Sequence, residues 1–208
     1  MCDALGVTES GLREAKRRAT AHALAQAAYD LAVERGVDGF TIDDVATRAG
    51  YSRRTFANHF SCKEEAITAL ALERVRGGLE SAPAVPDDTP LLDWLMALAR
   101  HQLSGGMLPL LRQLRALADT HPSLEPYLAD VQRQIRQTAQ AAVAARADSA
   151  TSALYPQILV GAAYGAVMSV LDGRLPIRLP DDPGPPQPGA VTLTDFLDTV
   201  FSHLRSGF

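Results

Sequence analysis

The chain has 208 residues, 47% of them hydrophobic, and its 20 basic against 24 acidic residues give a formal charge of −4. That is enough material for one large or two small cores, and it excludes a disordered chain. No run approaches the roughly 18 apolar residues of a membrane helix and the N-terminus lacks a signal-peptide core. With only Cys2 and Cys62 there is no disulfide framework, so the expectation is a cytoplasmic protein with no membrane partner.

The first predicted element is a helix from about Leu12 to Arg35, with Leu24, Ala28, Leu31 and Ala32 at helical spacing on the side that packs. Arg13, Lys16, Arg17 and Arg18 crowd its front. In a first helix crossing a nucleic-acid backbone they would approach phosphate, Arg17 among them; in any other protein they would form a solvated turn. Gly36 and Gly39 end the helix.

Residues 41 to 64, TIDDVATRAGYSRRTFANHFSCKE, write two short helices joined by a tight turn and then open another. Thr41 can cap the first, with Asp44 at its N3 position, Ser52 can cap the second, and Ser61 with Glu64 reads as a capping box for the third. Ala49 and Gly50 supply a small residue and a permissive turn between the first two. In the helix from Arg53 to His59, Phe56 and Phe60 stand four residues apart and belong in a core with Ile42, Val45, Ala46 and Ala49. Arg53, Arg54, Ala57 and Asn58 must then face outward. Such a face suits the major groove, where Arg pairs with guanine and Asn with adenine. From Val45 to Lys63 there are four cations (Arg48, Arg53, Arg54 and Lys63) and no acid, a local reversal of the chain's overall charge that phosphate neutralisation requires. A pair of surface helices with solvated arginines is the plainer alternative.

The run from Lys16 to Leu70 resembles the DNA-binding domain of the TetR family of transcriptional regulators. The matching pieces are the alanine-rich helix ending in VERG (Val33 to Gly36), FTIDDVATRAGYS (Phe40 to Ser52), RRTFANHF (Arg53 to Phe60) and SCKEEA (Ser61 to Ala66). They cover about a quarter of the chain. The resemblance implies Thr41, Ser52, His59 and Lys63 on phosphates and Arg53, Arg54 and Thr55 at or near base edges. Where members often carry a tyrosine in mid-helix this chain has Ala57, which leaves Asn58 or Tyr51 to replace that contact.

A fourth helix, about Lys63 to Leu79, precedes SAPAVPDDTP (Ser81 to Pro90), whose three prolines read as a joint. Cys62 is expected at the N1 position of that helix, either a thiol tuned by the helix dipole or a passive small residue. Further helices are expected at about Leu91 to Leu103, Met107 to Thr120, Ser123 to Ala147, Thr151 to Asp172 and Leu193 to Arg205, with no strand competing. The breaks fall at Gly105 and Gly106, at His121 and Pro122, at Asp148 and Ser149, and in the proline-rich loop from Gly173 to Gly189. The predicted fold class is all-α, of about nine helices. Residues 1–80 form a helix-turn-helix domain with a linking fourth helix, 81–90 a joint, and 91–208 an effector-binding and dimerisation bundle.

The helix from Thr151 to Asp172 is apolar almost all round and needs cover on every side, which points to a partner subunit. Its candidate seam residues are Ile158, Gly161, Ala162, Gly165 and Met168, joined by Phe196, Leu197, Val200, Phe201 and Leu204 of the last helix. The family resemblance implies the same helix pair at a dimer seam. A small-molecule effector would lie among Trp94, Met96, Leu98, His101, Met107, Leu111, Arg115, Tyr127 and Tyr164, residues that an ordinary core or a solvated face would equally explain. The five histidines are scattered and no paired carboxylates, HExxH or Gly-rich phosphate loop is present, so neither an enzyme nor a metal or other cofactor is expected. The sum is a homodimeric, ligand-responsive repressor of a palindromic operator in double-stranded DNA. A small-molecule carrier with vestigial DNA contacts is the rival.

Overall fold

The computed structural model describes residues 9–147, 152, 154–175, 177–179, 182 and 189–206. The described residues form nine α-helices: α1 (Glu9–Arg35), α2 (Ile42–Ala49), α3 (Arg53–Ala57), α4 (Lys63–Glu80), α5 (Leu91–Gln102), α6 (Leu108–Thr120), α7 (Glu125–Arg146), α8 (Tyr155–Leu171) and α9 (Leu193–Ser206). Two compact units result. One comprises the described residues up to Glu73 together with Leu117–Leu128, and the other Arg74–Ala116 with the described residues from Ala129 onward. This division passes through α4, a single helix that contributes to both units, and the α6–α7 corner falls with the N-terminal unit.

In the N-terminal unit Leu24, Ala28, Leu31 and Ala32 of α1 are buried with Val45 and Ala46 of α2, Phe56, Phe60, and Ile67 and Leu70 of α4. Phe56 and Phe60 pack with ring centroids 5.7 Å apart. Leu124, from a 3-10 turn at Pro122–Leu124, is fully buried in the same unit, which gives the α6–α7 corner its place there. In the same unit the Cys62 thiol pushes the Tyr127 phenol above its ordinary pKa.

The caps that define the helix-turn-helix follow from single side chains. The Thr41 hydroxyl accepts from the Asp44 backbone N–H at 3.3 Å, while the Asp44 carboxylate accepts from the Thr41 N–H at 2.8 Å. Gly50 ends α2 at φ 76°, in the left-handed region, with Tyr51 N–H donating back to the Ala46 carbonyl at 2.8 Å. The Ser52 hydroxyl then accepts from Thr55 N–H at 3.1 Å and starts α3. At α4 the expectation shifts by one residue. Cys62, not Ser61, holds the N-cap position, its Sγ accepting from Glu65 N–H at 3.4 Å, and the Glu65 carboxylate accepts from Ser61 N–H at 2.7 Å.

Thr41→Ala is expected to cost about 1 kcal/mol in urea unfolding at neutral pH. Hydrogen bonds from the Thr41 hydroxyl and then its backbone N–H hold the Asp44 carboxyl below its ordinary value. The cap's contribution is therefore complete above the unfolded carboxylate range and is lost as pH falls through the folded pKa. The deficit of the variant should shrink over that same interval.

In the C-terminal unit α5 and α9 are fastened by the ion pairs Arg100–Asp198 and Arg205–Asp93. Arg146 lies over the Trp94 ring, 5.6 Å from its centroid, and donates to the Pro86 carbonyl at 2.8 Å, which pins the proline-rich segment. Between α5 and α6 the chain kinks at Leu103–Met107, with Gly106 at φ 81°. Contrary to the absence of any strand signal, Ile177–Arg178 pairs in parallel with Val191–Thr192, Ile177 opposite Val191. The Arg112 guanidinium donates to the Ile177 carbonyl at 2.7 Å. The expected break at Asp148 and Ser149, most of the loop from 173 to 189, and Cys2 lie outside the described residues.

Candidate nucleic-acid interface and helical cavity

Three short-range devices place α3: the Gly50 turn, the Ser52 cap, and the burial of Phe56 and Phe60. The recognition helix is shorter than its sequence suggests, ending at Ala57 with Asn58 as its C-cap. Arg53, Arg54, Ala57 and Asn58 are exposed on one face, Tyr51 and Ser52 are exposed beside them, and Thr55 and His59 are half-buried. Arg17 is exposed on α1. The Tyr51 hydroxyl lies 3.5 Å from Thr20 Oγ1 of that helix. Thr41, Ser52 and Thr55 all have their hydroxyls engaged in caps, Thr55 Oγ1 lying 2.9 Å from Ser52 Oγ.

The window from Val45 to Lys63 is acid-free in sequence but not in space. Arg48 makes a two-pronged pair with Glu34, with one contact of 2.7 Å, and this holds the Glu34 carboxyl below its ordinary pKa. Arg53 Nη1 donates to Asp43 at 2.8 Å. Lys63, expected on phosphate, turns instead to its own backbone. Its Nζ donates to the carbonyls of Val37 at 2.6 Å and Phe40 at 3.1 Å and sits 5.1 Å from the Phe40 ring centroid. These carbonyls lie in the turn after α1 and need a donor, which explains why the ammonium is drawn inward. Among the described residues Arg54 alone of the four cations has no protein partner. Asp43, ten residues before Arg53, was missed because a charge count along the chain cannot see an acid from the neighbouring helix.

In the C-terminal unit a cavity of about 150 Å³ is lined by Leu95, Leu98, Leu103, Met107, Leu111, Ile135, Val160, Tyr164 and Met168, with other apolar side chains. Leu98, Met107, Leu111 and Tyr164 of the expected effector set thus come together. Burial pushes the Tyr164 phenol above its ordinary pKa, and its hydroxyl donates to the Gln132 carbonyl at 3.3 Å. Trp94 is instead under Arg146, Met96 and Arg115 do not line the wall, and Tyr127 belongs to the other unit beside Cys62. His101 lines an adjoining polar space, its Nε2 3.1 Å from Ser81 Oγ.

Leu154, just before α8, and Ile158 on it keep 62% and 66% of their surface exposed, and Gly161 and Gly165 continue that stripe. A Cβ at either glycine would meet nothing within 4 Å. Ala162 and Met168 are half-buried. Phe196, Leu197 and Phe201, expected at the seam, are buried inside the protomer, and only Val200 and Leu204 of the α9 set stay half-exposed. The α9 aromatic side chains serve the unit's own core, so the open apolar surface belongs to α8.

Residues 24–70 match the family described as bacterial regulatory proteins, tetR family, and residues 97–208 match the MftR C-terminal domain. The chain belongs to the TetR family of transcriptional regulators. No curated protein matches it. Solved structures of similar fold include a transcriptional regulator from Rhodococcus sp. Rha1, 19% identical over 89% of this chain and 94% of its own, with a TM-score of 0.53. A TetR/AcrR-family regulator from Thermobifida fusca is also 19% identical, over 90% and 97% of the two chains, with a TM-score of 0.51. At such identity the likeness is one of fold. TetR-family membership makes this a DNA-binding transcriptional regulator, and regulators of the family are generally not enzymes. No described helix is long and apolar enough to cross a membrane, and no described cluster of His, Cys, Asp and Glu could hold a metal ion.

Proposed function

We propose that the protein is a ligand-responsive repressor of the cytoplasm that binds a palindromic operator as a homodimer. The carrying observation is the exposed α3 face, with Arg54 and Asn58 on it and Phe56 and Phe60 anchoring it from behind. Arg54 and Asn58 read base edges, with Arg53 and Thr55 beside them. Tyr51, Ser52, His59 and Arg17 serve the flanking phosphates, with backbone donors at the starts of α2 and α3, whereas both donors of Thr41 are taken by Asp44.

The α8 stripe from Leu154 through Ile158, Gly161 and Gly165 supports dimerisation, because an exposed apolar helix face with small residues lets a twin helix approach closely. Two recognition helices then fall on successive turns of duplex. The apolar cavity supports a small-molecule effector. Its occupation reaches the recognition helix through α4, which belongs to both units, and operator and effector oppose each other reciprocally.

The test is a gel-shift titration with the duplex upstream of the regulated gene. The expected result is a dimer-sized complex whose affinity falls steeply with salt, competed by its own sequence and not by scrambled duplex. Equal competition by both duplexes would remove the reading.

A further inference from the structure

Beside the apolar cavity lies a second space of about 360 Å³ with a different character. The two meet at Gln102 and Met107, which border both, and among the described residues no carboxylate lines either of them. The first has the volume that suits a six-membered ring or a comparable chain. The second is bordered by Arg74, Ser81 and His101. Arg74 uses Nη1 for the carbonyls of Gly105 and Gly106, at 3.3 and 3.1 Å, and a guanidinium has further donors beyond that nitrogen.

Glycines make the room. A Cβ at Gly106 would stand 2.8 Å from Arg74 Nη1, and one at Gly78 would stand 2.4 Å from Gln102 Oε1, so both polar side chains occupy places that only glycine leaves free. At Gly77 and Gly105, which line the same space, a Cβ would meet nothing within 4 Å.

An apolar chamber that meets, at Gln102 and Met107, a space bordered by the exposed Arg74 guanidinium fits one class of ligand. We propose that the cavity takes an organic monocarboxylate, its apolar body among Leu98, Leu111 and Val160 and its carboxylate on Arg74 with His101 and Ser81 beside it. A single fork of donors matches one carboxylate in geometry and charge, whereas a phosphate monoester would call for more cations than line this wall. The proposal rests on the cavity being the effector site and assigns that site its chemistry.

The test is calorimetric titration of the full-length protein with 4-phenylbutyrate and octanoate, and with 4-phenylbutyramide as the neutral match. The acids should bind at least about tenfold tighter than the amide, and Arg74→Gln should erase that preference. Gly77→Leu, whose side chain enters open space, should abolish acid binding without lowering helicity or the unfolding midpoint, since leucine is the better helix former. Equal affinity for acid and amide overturns the anionic head. Failure of both acids to bind, or acid binding unaffected by Gly77→Leu, overturns the site. Acid binding that leaves a bound operator in place supports the ligand class and contradicts the effector reading instead, so the two failures are distinguishable.

Discussion

Replacing Arg54 with alanine is expected to weaken operator binding about 100-fold or more. A good bidentate contact to a base edge is worth about 1–3 kcal/mol of discrimination, and a dimer loses two of them at once. The fold should be indifferent, since the side chain is exposed and has no partner among the described residues. Binding to scrambled duplex should fall far less, because only one phosphate-attracting charge per half-site is removed. Arg53→Ala should be the milder substitution, as its guanidinium is already shared with Asp43 at 2.8 Å across an exposed pair. Asp43→Asn makes the converse case. With that acid neutralised, affinity for scrambled duplex should rise and the salt dependence steepen by about one counterion per half-site, with a loss of discrimination. Fluorescence anisotropy on operator and scrambled duplexes at two salt concentrations reads all three variants. Parallel losses on both duplexes for Arg54→Ala would mean that the helix holds phosphate and reads no bases.

If the proposed dimer forms through α8, Ile158→Glu should leave the protein a monomer and reduce operator affinity by about 10²–10⁴, the avidity of a linked second half-site. The residue is 66% exposed in the protomer, so the substitution removes no intramolecular core and should leave the unfolding midpoint of the isolated chain unchanged. Two facing carboxylates in an apolar seam carry a desolvation cost that a helix face of this size cannot offset. Sedimentation equilibrium across a concentration series is the measurement. A dimer that survives Ile158→Glu places the seam elsewhere.

The local chemistry of the helix-turn-helix was legible because each device is short in sequence: a threonine three residues before an aspartate, a glycine in the left-handed region, two phenylalanines four apart. The α4 cap shifted by one residue because the Cys62 thiol can do the work of a hydroxyl, and Glu65, one residue past Glu64, takes the Ser61 N–H. What sequence could not disclose were pairings between elements. Glu34 reaches Arg48 from fourteen residues away and Asp43 reaches Arg53 from ten, so two of the four cations in a stretch without acids are paired with acids from outside it. The same blindness affected the C-terminal bundle. Apolar residues of α9 carry the same pattern whether they face their own core or a partner, and Phe196, Leu197 and Phe201 face their own. Trp94 and Tyr127, expected at the cavity, lie elsewhere, Trp94 under Arg146 and Tyr127 in the N-terminal unit. The fragments Arg74, Gly77 and Gly105, which give the polar space its character, are separated by a proline-rich segment and a full helix.

The most direct test of the account is selection of duplexes from a random library by the purified protein, followed by sequencing. An inverted repeat should emerge with half-sites centred about one helical turn apart, and the Arg54→Ala protein should lose its preference at the guanine that Arg54 contacts. Recovery of no enriched sequence, or of an asymmetric site whose preferences survive Arg54→Ala, would contradict a paired, base-reading α3.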